Sequence, residues 1–485
     1  MHYKDPRDRH QQGFFTTLDE FVPADHPVRV LDAVVDTMIT HHPDQFQYKG
    51  QDCVGQKAYS PATHHKLLLY GYLNGITSSR NLEVETHRNI EVKWLLGDLQ
   101  PDFKTIADFR KDNGDQIAFV AQTFRQLLAE AGYIAGEQVA LDGTKVKANA
   151  QRQVHTAQQL ADRLEQIDAS LTEYCAQLTA QDCRDTQDAI ASVAPDATDQ
   201  ELVALIAQLE EQRAHVQAAQ ALMAEADTTQ VSPGDPDARV MKTAQGKIPA
   251  YNVQAMVDAK HQLIAGATVH PNANDMEALA PMVEHFEALY GHRVGEVLAD
   301  TGYYNPADIQ TVEAQGIRCE IPPKRSPKKQ APIAFTYDAA ADEYRCSEDR
   351  RLILTHKNKQ QRKRMTDLYQ GVDCGDCPRR AACTTSKQGR TVSRYHDADW
   401  EAAYRTRQGT PAAKAKSRQR SQLVEHVFGT LKYWMGQIPL LLRGEKKVQT
   451  EIDLYTTAYN LKRLITLEGV DLLLWKLDQG DWAAS

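Results

Sequence analysis

Three acids stand out for what surrounds them. Asp142 lies in "EQVALDGTKVKANA" among apolar neighbours, and Asp300 closes the apolar run "VGEVLAD" before "TGYYN". Glu425 lies in "SRQRSQLVEHVFGTLKYW", with Arg418 and Arg420 on one side and Lys432 on the other. An ionised aspartate at the buried end of a strand is costly unless it is paired or coordinates a cation. Taken singly, either aspartate would equally serve as a turn or cap residue. Taken together, the three carry more: carboxylates that converge repel one another unless divalent cations fill the gap. Two Mg²⁺ (or Mn²⁺) ions ~4 Å apart activate an attacking oxygen and stabilise a leaving oxygen in phosphoryl transfer. In that setting Lys432, Arg420 and Arg418 would hold a nucleic-acid backbone over the ions.

On a helical wheel of ~100° per residue, Val424, Val427, Phe428, Leu431 and Met435 form an apolar stripe, with Glu425, Gly429 and Lys432 on an adjacent face. A mid-helix glycine costs up to ~1 kcal/mol relative to alanine, which predicts a close approach to the backbone at Gly429. A solvated ion-pair face is the plainer alternative.

Cysteines make a second group. Cys374 and Cys377 form a CxxC, Cys383 follows "PRRAA", and Cys346 precedes them. Four thiolates could bind one Zn²⁺ tetrahedrally and stabilise a loop-rich segment without a core; buried free thiols are the alternative. Cys53, Cys175, Cys183 and Cys319 show no metal spacing. In the N-terminal region Arg80, Arg88, Lys104, Arg110 and Lys111 suit phosphate and groove contact, or an ordinary polar surface. His64, His65, His87 and His426 have no partner pattern, and Trp434 could stack on an unpaired base or simply pack.

The elements that must position these groups change along the chain. Residues 1–133 read as helical, with apolar residues three and four apart and Ser60–Pro61 marking a helix start. The period becomes two at 134–150, a strand holding Asp142. Over 151–228, Leu160, Leu164, Ile167 and Leu171 and then Leu202, Leu209, Val216 and Met223 keep a coiled-coil spacing on either side of Pro195, with a capping box at Thr198 and Glu201. That is an antiparallel helical hairpin inserted into another domain. Alternation resumes in "PAYNVQAMVDAKHQLIAGATVH", and strands then alternate with helices to residue 324, which predicts an α/β layer. The segment 325–409 is basic, proline-rich and irregular, and 441–485 is helical.

The order Asp142, Asp300, Glu425, with "LDGTKVKANA", "LADTGYYN" and "VEHVFGTLKYW" around them, resembles the DDE transposases of bacterial insertion sequences. "SPATHHKLLLYGYLNGITSSRNLE" and "PDFKTIADFRK" resemble that family's N-terminal helical domain, and "GKIPAYNVQAMVDAKHQLI" its central strands. One branch carries a tyrosine, arginine, glutamate, lysine signature on the glutamate helix. Glu425 and Lys432 match it, Arg420 matches with one extra residue of spacing, and Ser417 stands near the tyrosine's place. The resemblance implies an RNase H-like catalytic core, here 134–150 plus 229–324 plus 410–440, and metal-dependent cleavage and joining of DNA at transposon ends. It also implies double-stranded DNA as partner, with the terminal repeats read by the N-terminal domain, and a dimer or higher assembly on paired ends.

The 485 residues are too many for one ordinary core, and 42% hydrophobic with 25% charged residues describes a globular chain. A net charge of -9 gives no hint of a polyanion partner, although "KRSPKK" and "KNKQQRKR" are local cationic runs. No run approaches the ~18 to 20 apolar residues of a membrane span, and the start "MHYKDPRDRHQQ" lacks a signal peptide's apolar centre, so a cytoplasmic, nucleoid-associated protein is expected. Two alternatives stay open: a nuclease on the same scaffold that cuts without joining, and a domesticated DNA-binding relative without catalysis.

Overall fold

The computed structural model describes residues 17–46, 58–150, 155–187, 197–225, 230–232, 234–243, 246–270, 272–324, 333–361, 364–431 and 439–480. The chain is mixed α/β and divides into two compact units, residues 1–296 with 422–485, and residues 297–421.

The first unit begins with helices α1 (Pro27–His41), α2 (Pro61–Leu73), α3 (Ser79–Arg88), α4 (Ile90–Leu96), α5 (Phe103–Asp112) and α6 (Gly114–Glu130). Val28, Leu31, Val35 and Met38 repeat at helical spacing on α1, and all are buried. Ser60 caps α2 as its sequence predicts: its hydroxyl accepts from the Thr63 N–H at 3.2 Å, and Pro61 fills the first helical position. Strand β1 (Gln138–Lys147) follows, then β2 (His155–Thr156) and helices α7 (Ala157–Gln187) and α8 (Ala197–Glu225). Leu160, Val216, Ala219 and Met223 pack together between these two helices, an antiparallel arrangement that Arg213 fastens to Asp168 at 2.8 Å. The break at Pro195 lies outside the described residues.

After β3 (Gln230–Val231) come β4 (Arg239–Thr243), β5 (Gly246–Asp258) and β6 (Ile264–His270). β5 is the central strand here, antiparallel to β1 on one edge and to β4 and β6 on the other. Eleven consecutive β5 residues, Ile248 to Asp258, are buried. Helix α9 (Leu279–Tyr290) packs against β6.

The second unit contains the end of β7 (Glu296–Leu298), α10 (Pro306–Ala314), β8 (Arg318–Glu320) and an antiparallel five-stranded sheet. That sheet runs β13-β12-β11-β10-β9, from β9 (Phe335–Asp338), β10 (Glu343–Cys346), β11 (Arg351–Gln361), β12 (Arg364–Gly371) and, after the short helix α11 (Arg380–Cys383), β13 (Thr391–Tyr395). The sequence reading of this segment as irregular is therefore corrected. Its strands are polar on both faces: in β11 Leu352 is buried while Ile353 is exposed, so no hydrophobic alternation announces it.

Helix α12 (Ala398–Gln408) ends the second unit's own elements, and α13 (Pro411–Gly429) runs from there into the first unit. Helices α14 (Glu445–Glu468) and α15 (Val470–Gln479) complete the chain. The middle of α14, Thr450 to Leu461, is buried, and the helix packs against α2, α6 and β6. It satisfies the open edge of β6 with amides: Gln449 takes the Val269 N–H at 2.8 Å and donates to Ala267 O at 3.0 Å, and Asn460 does the same for both groups of Ile264. Arg125 of α6, fully buried, donates to Asp453 at 3.0 Å and to Thr456 at 2.8 Å, so α14 also supplies the counter-charge for α6.

Candidate active site

Asp142 sits mid-strand in β1, partly buried and opposite Ala255 of β5, with its Oδ1 accepting the Gly143 N–H at 3.0 Å. Because side chains alternate along a strand, Gly143 faces the other side, opposite Gln254. That side holds a polar network which the sequence reading did not single out. Gln254 Nε2 donates to Asp275 Oδ1 at 2.7 Å and to Asn252 Oδ1 at 3.1 Å, and Asn252 Nδ2 donates to the same Asp275 oxygen at 2.8 Å. Asn252 and Gln254 are fully buried. The missed signal is two amides at i and i+2 in the apolar run "AYNVQAMVD", which puts both on one face. Gly143 has no Cβ for a physical reason: one there would lie 2.5 Å from Gln254 Nε2 and 2.7 Å from Asp275 Oδ1.

Asp300 differs from its sequence reading. It lies two residues past the end of β7, is exposed, and caps the 3-10 turn Thr301–Tyr303 by accepting the Gly302 N–H at 2.7 Å. The desolvation argument for a buried strand-end acid does not apply to it, because water reaches the carboxylate.

Glu425 is exposed near the end of α13, and among the described residues it has no hydrogen-bond or ion-pair partner. The apolar stripe beside it is as the wheel places it: Val424, Val427, Phe428 and Leu431 are buried. At Gly429 a Cβ would meet no described residue within 4 Å. Among the described residues none packs on this glycine, which lies one turn beyond Glu425. Arg418 and Arg420 precede Glu425 on the helix, Arg418 exposed and Arg420 partly exposed. Lys432, Trp434 and Met435 lie outside the described residues.

Of the three acids, Asp142 and Glu425 belong to the first unit and Asp300 to the second. Among the described residues no three His, Cys, Asp or Glu side chains form a ready-made metal cage. The cysteines do share a neighbourhood: Cys346, Cys374, Cys377 and Cys383 line one cavity of about 20 Å³. Burial raises the Cys383 thiol pKa; Arg390 acts against that, and the other three thiols reinforce it. A Cβ at Gly371 would overlap Cys374 Sγ, and one at Gly389 would lie 3.2 Å from it, so two glycines allow the backbone to fold around this thiol.

The N-terminal cations divide by environment. Arg110 is buried and spends its guanidinium on Thr77 O and Ser79 Oγ, both at 2.8 Å, which removes it from any surface contact. Arg88 pairs with Glu85, Lys111 with Asp108 and Asp112, and Arg80 lies over the Phe103 ring.

Comparison with known proteins adds the class. A family described as "Transposase DDE domain" matches residues 345–465, which takes in the five-stranded sheet from β10 onward, the four thiols and Glu425. A second, "Transposase domain (DUF772)", matches residues 16–112, the helices α1 to α5. No curated protein matches. Among solved structures, a cryo-EM structure of the piggyBac transposase synaptic complex with hairpin DNA aligns over 95% of this chain and 77% of that one, at 8% identity and a TM-score of 0.34. The two family matches define a transposase, an enzyme that cleaves and transfers DNA. Both matches support a DDE-type transposase of the insertion-sequence kind.

Proposed function

We propose that this transposase cuts DNA at the ends of its own element and joins the freed 3′ ends to target DNA, with Asp142, Asp300 and Glu425 as its catalytic acids. The observation that carries the reading is Glu425: an exposed carboxylate with no partner among the described residues, inside the matched DDE domain, on a helix where a Cβ at Gly429 would meet no described residue within 4 Å. The donor set suits hard divalent cations, since all three groups offer carboxylate oxygen and Asp300 keeps one oxygen beyond its capping bond. Bound there, two Mg²⁺ or Mn²⁺ ions would supply charge stabilisation at the scissile phosphate and favour the ionised form of the attacking hydroxyl. Asp142, Asp300 and Glu425 would hold these ions, with Asp142 serving both. Arg418, Arg420 and Lys432 pair with backbone phosphates and orient the strand.

In the same reading the core is RNase H-like over 134–150, 229–324 and 410–440. Residues 1–133 contact the double-stranded terminal repeats, 151–228 and 325–409 are insertions, and 441–485 is a C-terminal helical segment. The active assembly is a dimer or larger on paired ends, working in the bacterial cytoplasm on nucleoid DNA; no described helix is long and apolar enough to cross a membrane. The four thiols around one cavity fit a single structural Zn²⁺, closing on it as thiolates.

The test uses the full chain with duplexes carrying the element's ends, in Mg²⁺. Asp142→Ala, Asp300→Ala and Glu425→Ala each lower cleavage by about 100-fold or more while DNA binding persists. Pre-cleaved ends give a joined product with the wild type, which a plain nuclease would not form. Undiminished cleavage by Asp142→Ala would overturn the assignment.

A further inference from the structure

Charge is divided unequally between the two units. Residues 297–421 hold 24 lysines and arginines against 15 aspartates and glutamates, a net +9, in a chain whose total is -9. Several described cations of this unit are spent on neighbours: Arg351 on Glu343, Arg364 on Asp397 and Glu401, and Arg394 on Asp399. Lys357 and Lys359 of β11 are not. Among the described residues neither side chain makes a hydrogen bond or an ion pair, and both lie in a run, Thr355 to Gln360, that is exposed throughout. The ladder accounts for this. β10 pairs with β11 only as far as Ile353, so beyond that point the outer edge of β11 has no neighbouring strand among the described residues. The pairs Leu354–Tyr369, His356–Leu368 and Lys359–Thr366 leave Thr355 without an opposite residue and set Lys357 and Asn358 against Asp367 alone, which makes two bulges. Asn358 takes a left-handed φ of 55°, and Asp367 Oδ1 fixes it by accepting its N–H at 2.9 Å. Thr366 Oγ1 donates to Lys359 O at 2.7 Å, so the backbone around the bulge is tied down while both lysines stay exposed. The two carboxylates that feel the Lys357 charge have other partners. Asp367 Oδ1 lies 3.1 Å from His396 Nε2, and Asp342 Oδ1 accepts the hydroxyl protons of Tyr337 at 2.8 Å and Tyr369 at 2.6 Å. Lysine on an edge strand commonly guards against pairing with another chain, but the bulges already spoil this edge as a template.

We propose that the bulged part of β11 is a DNA-backbone contact, in which Lys357 and Lys359 each neutralise one phosphate of a bound duplex without reading its sequence. The inference rests on the transposase reading and deepens it, because it gives the basic second unit binding residues other than Arg418, Arg420 and Lys432. A two-stranded ribbon fits the major groove, and bulges strengthen its twist. Ammonium groups are point charges, which suit phosphate oxygens better than the paired donors and acceptors of base edges.

The experiment measures affinity of the full-length protein for two labelled duplexes, one carrying the element's end and one of unrelated sequence, over a range of salt concentrations. The double variant Lys357→Gln with Lys359→Gln is expected to weaken binding about tenfold on both duplexes and to lower the slope of log affinity against log salt by about two. Lys357→Arg with Lys359→Arg keeps the charge and should keep the wild-type slope. A wild-type slope in the glutamine variant would overturn the contact, as would a slope that falls equally in the arginine variant. A loss confined to the element's end would mark base reading and equally overturn it. Size-exclusion chromatography is the second arm: a changed mass of the glutamine variant at unchanged DNA affinity would make the lysines an edge guard or a contact between copies, and the proposal fails. If Asp142→Ala abolishes cleavage while the glutamine variant binds as wild type, the contact fails and the transposase chemistry stands. The reverse pattern removes the chemistry and leaves the DNA contact.

Discussion

Gly143→Ala tests how tightly the strand that carries Asp142 is built. The added methyl would lie 2.5 Å from Gln254 Nε2, 2.7 Å from Asp275 Oδ1 and 3.2 Å from Asn252 Oδ1. Side-chain ends usually yield to such an intrusion, but these are tied to one another and two of the residues are fully buried. Clearing the methyl separates Gln254 from Asp275, a charge-assisted hydrogen bond contributing about 1.5–3 kcal/mol, and adds about 1–3 kcal/mol of overpacking. Replacing glycine within a strand returns roughly 0.5–1 kcal/mol. The balance is a loss of about 3 kcal/mol. Urea unfolding of the variant followed by circular dichroism measures it. The diagnostic control is Gln254→Ala, which removes the amide that the methyl strikes. In that background Gly143→Ala should cost no more than about 1 kcal/mol, so the two changes are strongly non-additive. A loss below about 0.5 kcal/mol, or the same loss in both backgrounds, would refute the reasoning.

Glu451 gives a pH prediction. It is fully buried, and burial raises its pKa above 4.5 despite the N–H groups of Leu441 and Leu442 and the Tyr72 hydroxyl that hydrogen-bond to it. With the folded value above the unfolded one, the native state binds more protons in the window above pH 4.5, so this group's contribution falls as pH rises there. The stability of the wild type relative to Glu451→Gln should therefore decline as pH rises from 4.5, in paired denaturation curves; a difference that grows with pH contradicts it. For the thiol cluster, metal analysis of protein purified without chelator should find about one zinc per chain, lost in Cys374→Ser and Cys377→Ser. A metal-free chain whose thermal unfolding is unmoved by added Zn²⁺ would leave the four cysteines as free thiols.

Local chemistry was legible in the chain. Ser60 with Pro61, the apolar stripe of α13, the paired seams of α7 and α8 and the strand around Asp142 follow from periodicity and capping, which neighbours in sequence decide. Where the partner is distant, the sequence was silent or misled. Gly429 suggested a close approach to the backbone, and among the described residues nothing lies within 4 Å of a Cβ there, because glycine's cost is local while the space around it is set by other elements. Arg110 read as a surface cation and is buried, since Thr77 and Ser79 reach it only once α3 and α5 pack. The polar strands of the second sheet hid because neither face buries an apolar row. The sequence by itself marked the candidates for metal and phosphate contact. Tertiary structure alone decided that Asn252 and Gln254 close on Asp275 behind Gly143, and that Lys462 and Arg463 share a cleft with His426, because strand register and helix packing join residues that lie far apart along the chain.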